Sequence, residues 1–204
     1  FSGGALEGNI YLDRQVTLTS SVIVKNGKTL NLCLNGNTLS NSSSGAIEVE
    51  SGGTLNLCDC GSGGKVAGGS YASIKNYGTT KISGGTMISM YDNGIVNYSG
   101  EIYLSGLPII TSGSSYASIY MSSGKLFAND GNETQSYYTG DKLTLNCGNY
   151  SSGSIAVYGV NDSNKDRFTL KNTNYELQKG TDHNLHNLVI KGIDKKISWQ
   201  DDNG

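Results

Sequence analysis

Four cysteines, two histidines, two arginines and one run of closely spaced acidic residues are the groups in this 204-residue chain that invite chemistry. Cys33 and Cys58 close two copies of one phrase, Thr29–Cys33 and Thr54–Cys58, each reading TLNLC. If the copies stack, their Cα atoms lie ~4.8 Å apart, within the range a disulfide tolerates. Two stacked free thiols and a Cys33–Cys58 bond therefore both stand open. A metal site drawn from Cys33, Cys58, Cys60 and Cys147 lacks the C-x-x-C spacing that brings sulfurs round a tetrahedral ion. Asp162, Asn164 and Asp166 offer oxygens at i, i+2 and i+4, the opening of a calcium loop. Arg167 stands where such a loop needs glycine, and no closing glutamate follows. His183 and His186 form an H-x-x-H pair in a segment that reads as turn and strand, so a solvated surface is expected there. No resident cofactor is expected, calcium being the one cation this sequence suggests.

Catalytic sets are thin. Lyase chemistry on uronates needs calcium carboxylates and a base, often arginine, to take the proton beside the uronate carbonyl. Arg14 and Arg167 are the only arginines and lie far apart in the sequence. Hydrolysis of a glycosidic bond needs two carboxylates at a set separation. Asp59, Asp92 and Asp130 do not share an aligned position. None of the many glycines opens a helix, as a phosphate cradle requires. Charge excludes another class: the net charge is -2, and no basic stripe exists to collect nucleic-acid phosphates. No stretch reaches the ~18 apolar residues of a membrane span, so membrane insertion is not expected.

The elements that position these residues come from a repeat. An apolar triplet, a glycine turn and a second apolar strand recur, with turn glycines at 27, 53, 78, 100 and 124, separated by 26, 25, 22 and 24 residues. Each strand alternates apolar and polar, so one face is buried. A period this short cannot hold a βαβ crossover. It suits one coil of short strands, stacked on its neighbours as a solenoid. The expected fold is an all-β, right-handed parallel β-helix of about seven coils, the hand following from the crossover preference of parallel strands. One inward column runs Val22, Ile47, Ile74, Ile95, Ile119, Ile155, and a second Leu32, Leu57, Ile82, Leu104. Asn76 and Asn97 fall in an inward column with Val24, Val49 and Met121, where stacked amides can hydrogen-bond along the stack. The glycines are expected at corners that need positive φ, and Pro108 at a corner or loop. Residues 1–160 are expected to form the helix, 161–192 a cap or small β appendage, and 193–204 a linker toward a following module. Residues 9–20 are expected to cap the N-terminal end.

The phrases IYLDRQVTLTSSVIVKNGKTLNLCLNGNTLS and AIEVESGGTLNLCDCGSGGKVAGG resemble the β-helical segments of large cell-surface proteins of gut Firmicutes, whose fold is similar to that of pectate lyases. The resemblance covers residues 9–69 closely and 70–158 in architecture. It implies an extracellular or wall-attached multidomain protein and an adhesive or carbohydrate-facing role for this segment. It also implies that cysteines are left as thiols. It carries over no catalytic residue.

The chain has 13 tyrosines against 3 phenylalanines and 1 tryptophan. Tyrosine presents a ring with a polar tip, suited to sugar or protein contact. Tyr77 and Tyr98 align just after the two asparagines. Tyr103 and Phe127 align on the outward face of the next strand, where earlier coils carry Asn31, Asn56 and Lys81. With Tyr120, they are expected to form an exposed aromatic strip for a glycan or host surface protein. A passive stalk and a calcium-dependent polysaccharide lyase are the alternatives.

Overall fold

The computed structural model describes residues 3–132, 136–181 and 186–193. The regular elements among them are short β-strands and one 3-10 turn, Lys165–Arg167. The first coil holds β1 (Gly4–Ala5), β2 (Gly8–Tyr11) and β3 (Val16–Leu18). The second holds β4 (Val22–Val24), β5 (Thr29–Cys33) and β6 (Thr38–Asn41), and the third β7 (Ile47–Val49), β8 (Thr54–Cys58) and β9 (Lys65–Gly68). In the fourth come β10 (Ile74–Asn76), β11 (Thr79–Ile82) and β12 (Thr86–Ser89), and in the fifth β13 (Ile95–Asn97), β14 (Glu101–Leu104) and β15 (Ile109–Ser112). Then follow β16 (Ile119–Met121), β17 (Lys125–Phe127), β18 (Leu143–Cys147), β19 (Ile155–Val157), β20 (Phe168–Leu170), β21 (Tyr175–Lys179) and β22 (Leu188–Gly192).

Stacking turns these strands into three parallel sheets, a β-solenoid of about seven turns. The first sheet runs β1-β4-β7-β10-β13-β16-β18-β20, the second β2-β5-β8-β11-β14-β17 and the third β3-β6-β9-β12-β15. The inward column of the first sheet is Val22, Ile47, Ile74, Ile95, Ile119, Leu145 and Leu170. Leu145, not Ile155, continues it. Ile155 lies in a small antiparallel sheet of β19, β22 and β21. Leu32, Leu57, Ile82 and Leu104 stack in the second sheet as expected. Val22, Ile47, Ile74, Ile95 and Ile119 are all buried, and each contributes roughly 1.5–3 kcal/mol by leaving water.

Cap and solenoid interleave across residue 160: β19 belongs to the antiparallel sheet, while β20 returns to the first parallel sheet. Residues 9–20 lie at the N-terminal end of the stack, as part of its first coil. They supply β2 and β3 to the first coil, and Leu6, Ile10, Leu12 and Val16 line a cleft of about 420 Å³ beside it. Pro108 sits just before β15, outside the ladder, as its missing N–H demands. Residues 194–204 lie outside the described residues.

The corner between the first and second sheets shows why its glycines are glycines. In the second and third coils it is a four-residue turn, closed by Lys28 N to Lys25 O at 3.0 Å and Gly53 N to Glu50 O at 2.8 Å. Gly27 and Gly52 carry the positive φ there, +71° and +79°. Because Thr29 pairs with Thr54, Gly53 stacks on Lys28 and not on Gly27. At Gly53, Gly78, Gly100 and Gly124 the constraint is contact and not φ. A Cβ on Gly78 would sit 2.4 Å from the Gly53 carbonyl oxygen, on Gly100 2.0 Å from that of Gly78, and on Gly124 2.2 Å from that of Gly100.

The next corners are shorter, and the buried asparagines belong to them. Asn76 Nδ2 donates to Gly78 O at 3.2 Å and Asn97 Oδ1 at 2.9 Å. Asn97 Nδ2 donates to Gly100 O at 3.1 Å, and the Thr80 hydroxyl donates to Asn76 Oδ1 at 2.8 Å. The amides thus satisfy backbone carbonyls that the tightened corner would otherwise strand. Gly100→Ala should lower stability by about 1–3 kcal/mol through overpacking against the Gly78 carbonyl. Gly27→Ala, with open space at its Cβ, should lower it by only about 1–2 kcal/mol of left-handed strain. Urea unfolding of the two variants checks the order; a Gly27 variant clearly the weaker of the two would contradict it.

Candidate functional site

The outer face of the second sheet gathers polar and aromatic groups into rows. Its middle row is Asn9, Asn31, Asn56, Lys81, Tyr103 and Phe127, one residue per coil. Asn31 Nδ2 donates to Asn9 Oδ1 at 2.7 Å, and Asn56 Nδ2 to Asn31 Oδ1 at 2.6 Å. Each carboxamide has two N–H donors, so a second N–H of Asn31 and Asn56 remains beyond the ladder bond. Lys81 Nζ lies 5.3 Å from the Tyr103 ring centre, within cation–π range. Tyr103 and Phe127 stack at 4.4 Å and 5°, and Tyr158 leans on Phe127 at 5.1 Å. The adjacent row is Tyr11, Cys33 and Cys58. Ser83 follows them, its N–H donating to Leu57 O.

Between these rows lies a cleft of about 630 Å³. Its floor includes Asn9, Asn31, Asn56, Lys81 and Tyr103, and its far wall is Asp130, Asn132 and Ser136. At Gly131 the chain lies against the sheet: a Cβ there would touch the Tyr103 ring at 2.7 Å. The Tyr103 hydroxyl donates to Glu101 Oε2 at 2.8 Å, and Lys125 approaches Glu101 Oε1 at 3.5 Å. Burial, with the Glu101 carboxylate beside it, pushes the Tyr103 phenol up to about 12.

The expected aromatic strip therefore divides. Tyr103 and Phe127 are together in the cleft sheet. Tyr77 and Tyr98 stack on each other at 4.7 Å and 6°, in the corner that follows the first sheet. Tyr120 is on the outer face of the first sheet, between Val96 and Asn146, and does not join Tyr103. A ladder also stacks rings face to face along its axis. Lys81 and Phe127 flank Tyr103, so the strip shows ring edges and not an open platform.

The calcium loop does not form as expected. Asn164 is buried; its Oδ1 accepts from Asn161 N at 2.8 Å, and its Nδ2 donates to Ala128 O at 3.2 Å. Asp162 faces Lys179 at 2.8 Å and Lys165 at 3.5 Å, and both lysines hold its carboxyl below the usual range. Asp166 is exposed. Buried Asn164 thus serves the fold, while the two aspartates stay at the surface. Arg14 pairs with Asp13 at 3.1 Å, and Arg167 donates to Gly140 O at 2.8 Å. Asp59, Asp92 and Asp130 each accept backbone N–H groups in their own corners. Residues 182–185, with His183, lie outside the described residues, and His186 is exposed.

The cysteines also depart from expectation. Cys33 is bonded to Cys60, with Cα atoms 6.2 Å apart, while Cys58 and Cys147 are free. Cys33 and Cys58 do share a register, but Cys60, two residues further along, turns back over Cys33. Cys147 stands apart, beside Met121 in the first sheet, where burial raises its thiol to about 12. The cleft itself was half visible in the sequence: the row of Asn31, Asn56 and Lys81 follows from the repeat, whereas the wall of Asp130, Asn132 and Ser136 follows from no periodicity. No family model matches the chain, and no curated protein or solved structure matches it.

A phenol with a folded value of about 12 and an unfolded one of ~10 favours the folded state while neutral. That contribution is intact below pH ~10 and is lost as pH rises through about 12. Tyr103→Phe should therefore flatten the fall of melting temperature across that window. Equal slopes in the variant and the parent would remove Tyr103 from the account.

Proposed function

We propose that this chain is a non-catalytic, glycan-binding module of a secreted or cell-surface bacterial protein, with the outer face of the second sheet as its binding surface. The observation that carries the proposal is the amide row Asn9–Asn31–Asn56 leading to Lys81 along the floor of one cleft. Free amide N–H groups at ~4.8 Å intervals match a polymer that presents hydroxyls along its length. Tyr103 and Phe127 then act through ring edges and through the Tyr103 hydroxyl, and they fix the end of the row. Lys81 brings a cation to the cleft floor and favours glycans bearing a carboxylate. The polysaccharide-lyase alternative has less behind it, because neither Arg14 nor Arg167 lines the cleft.

A host-protein ligand is the second reading, favoured by a different face. Tyr71, Met90, Tyr91 and Tyr116 stand exposed at the corners between the third and first sheets, Met90 and Tyr91 at 67% each. Exposed apolar groups gathered in this way suit a protein surface.

The test is a glycan array followed by titration calorimetry with any glycan that binds, in calcium and in chelator. Lys81→Ala and Asn56→Ala should each weaken binding about tenfold, the equivalent of ~1.4 kcal/mol, with little change in melting temperature. Chelator should leave binding unchanged, since Asn164 is engaged in the fold. Silence on the array, with binding to serum or mucin proteins lost in Met90→Ser and Tyr91→Ser, would replace the glycan reading with the protein one. Silence in both screens would leave a passive stalk.

A further inference from the structure

Three sulfurs meet beside the cleft. Sγ atoms of Cys33, Cys58 and Cys60 all lie within 4.8 Å of one another, and those of Cys58 and Cys60 are 3.9 Å apart. A soft ion bound to thiolates at ~2.3 Å sets sulfurs about 3.8–4.0 Å apart, whether the arrangement is tetrahedral or trigonal. The Cys58–Cys60 spacing already has that value. Cys33 needs only the separation that breaking its bond to Cys60 would allow.

The backbone that carries these sulfurs is held without the disulfide. Cys33 and Cys58 are rungs of one parallel ladder. The loop with Cys60 is tied by Asp59, whose carboxylate accepts from Gly36 N at 2.7 Å, Gly64 N at 2.8 Å and Gly61 N at 3.3 Å. Reduction frees two sulfurs and leaves these anchors in place. The Cys60 N–H points at Cys33 Sγ, 3.2 Å away, the kind of backbone donor that stabilises a metal-bound thiolate. Cys33 and Cys58 line the cleft, so a fourth coordination position opens on solvent.

We propose that Cys33, Cys58 and Cys60 form a three-thiolate site for a thiophilic cation of the zinc, cadmium or copper(I) type, closed while Cys33 and Cys60 are bonded and opened by a dithiol reductant. The dithiol takes up the Cys33–Cys60 bond as its own disulfide and leaves two thiols. Cation binding then forms three metal–sulfur bonds and releases three protons to solvent. Soft sulfur ligands select such ions over calcium or magnesium. Oxidised, the same residues staple two coils together; reduced, they exchange that covalent link for a coordinate one. The site borders the proposed glycan cleft but does not rest on that reading, which is measured on the oxidised chain.

The test titrates the full chain with cadmium, before and after dithiol reduction and anaerobic removal of the reductant. The reduced chain should develop the ultraviolet thiolate-to-cadmium band with a plateau at one cation per chain, and its melting temperature should rise. The oxidised chain should show neither. Cys58→Ser is the decisive variant, because it leaves the disulfide intact for folding; after reduction it should lose the stoichiometric plateau, as should Cys60→Ser. Cys147→Ser should keep it. A reduced chain without the band, or a band that persists in Cys58→Ser, overturns the proposal, with circular dichroism confirming that each variant is folded.

Discussion

Each strand residue of the solenoid lies above a residue one coil earlier, held there by parallel backbone hydrogen bonds, and this stacking in register governs the rest. It makes the core a set of columns, so that Ile47, Ile74 and Ile95 pack on one another without any long-range fitting of shapes. The same rule acts on the outer faces, where it pairs Lys25 with Glu50 and Lys28 with Glu7 across coils. A residue is therefore selected for what its own type does when repeated at ~4.8 Å. Amides bond amides, rings stack on rings, and glycine tolerates the carbonyl of the coil beneath.

That rule also limits what the face can offer. Rings laid one over another use their flat faces on each other, as the 4.4 Å contact of Tyr103 with Phe127 shows, and an edge is a poorer partner for a sugar than a face. Amides lose less. A carboxamide in a ladder engages one N–H and part of its oxygen, and the second N–H is left over from the ladder bond. This is why the proposed glycan reading rests on Asn31, Asn56 and Lys81 and less on the tyrosines.

Periodicity made the coil legible in the sequence. The inward columns, the two buried asparagines and the position of Pro108 all follow from a pattern that repeats. Departures from the pattern were not legible. Leu145 replaces Ile155 in the core column because the segment between β17 and β18 breaks the repeat length, so counting forward loses the register. The turn glycines show a subtler failure: sequence spacing aligned Gly27 with Gly53, but hydrogen-bond register aligns Gly27 with Gly52. One glycine meets a dihedral requirement and its neighbour a contact requirement, and composition alone does not separate them. Asn164 looked like a ligand because an asparagine in an acidic turn carries the same signature whether its amide faces solvent or the Ala128 carbonyl.

Chemistry in such a fold arises where a segment leaves the ladder. Within the ladder, the inward columns repeat like apolar groups, and an outer row sets each side chain only against its neighbours one coil away, as Glu101 stands against Lys125. The two excursions over the second sheet change this. Asp130, Asn132 and Ser136 place a carboxylate and two polar groups opposite the amide row, and they convert an open sheet face into a walled cleft. Residues 59–64 fold back through Asp59 and set Cys60 against two cysteines already stacked by register. Stacking alone would have left Cys33 facing Cys58, a pair. The excursion makes it a trio, and with the third sulfur the choice between covalent closure and cation binding first becomes available.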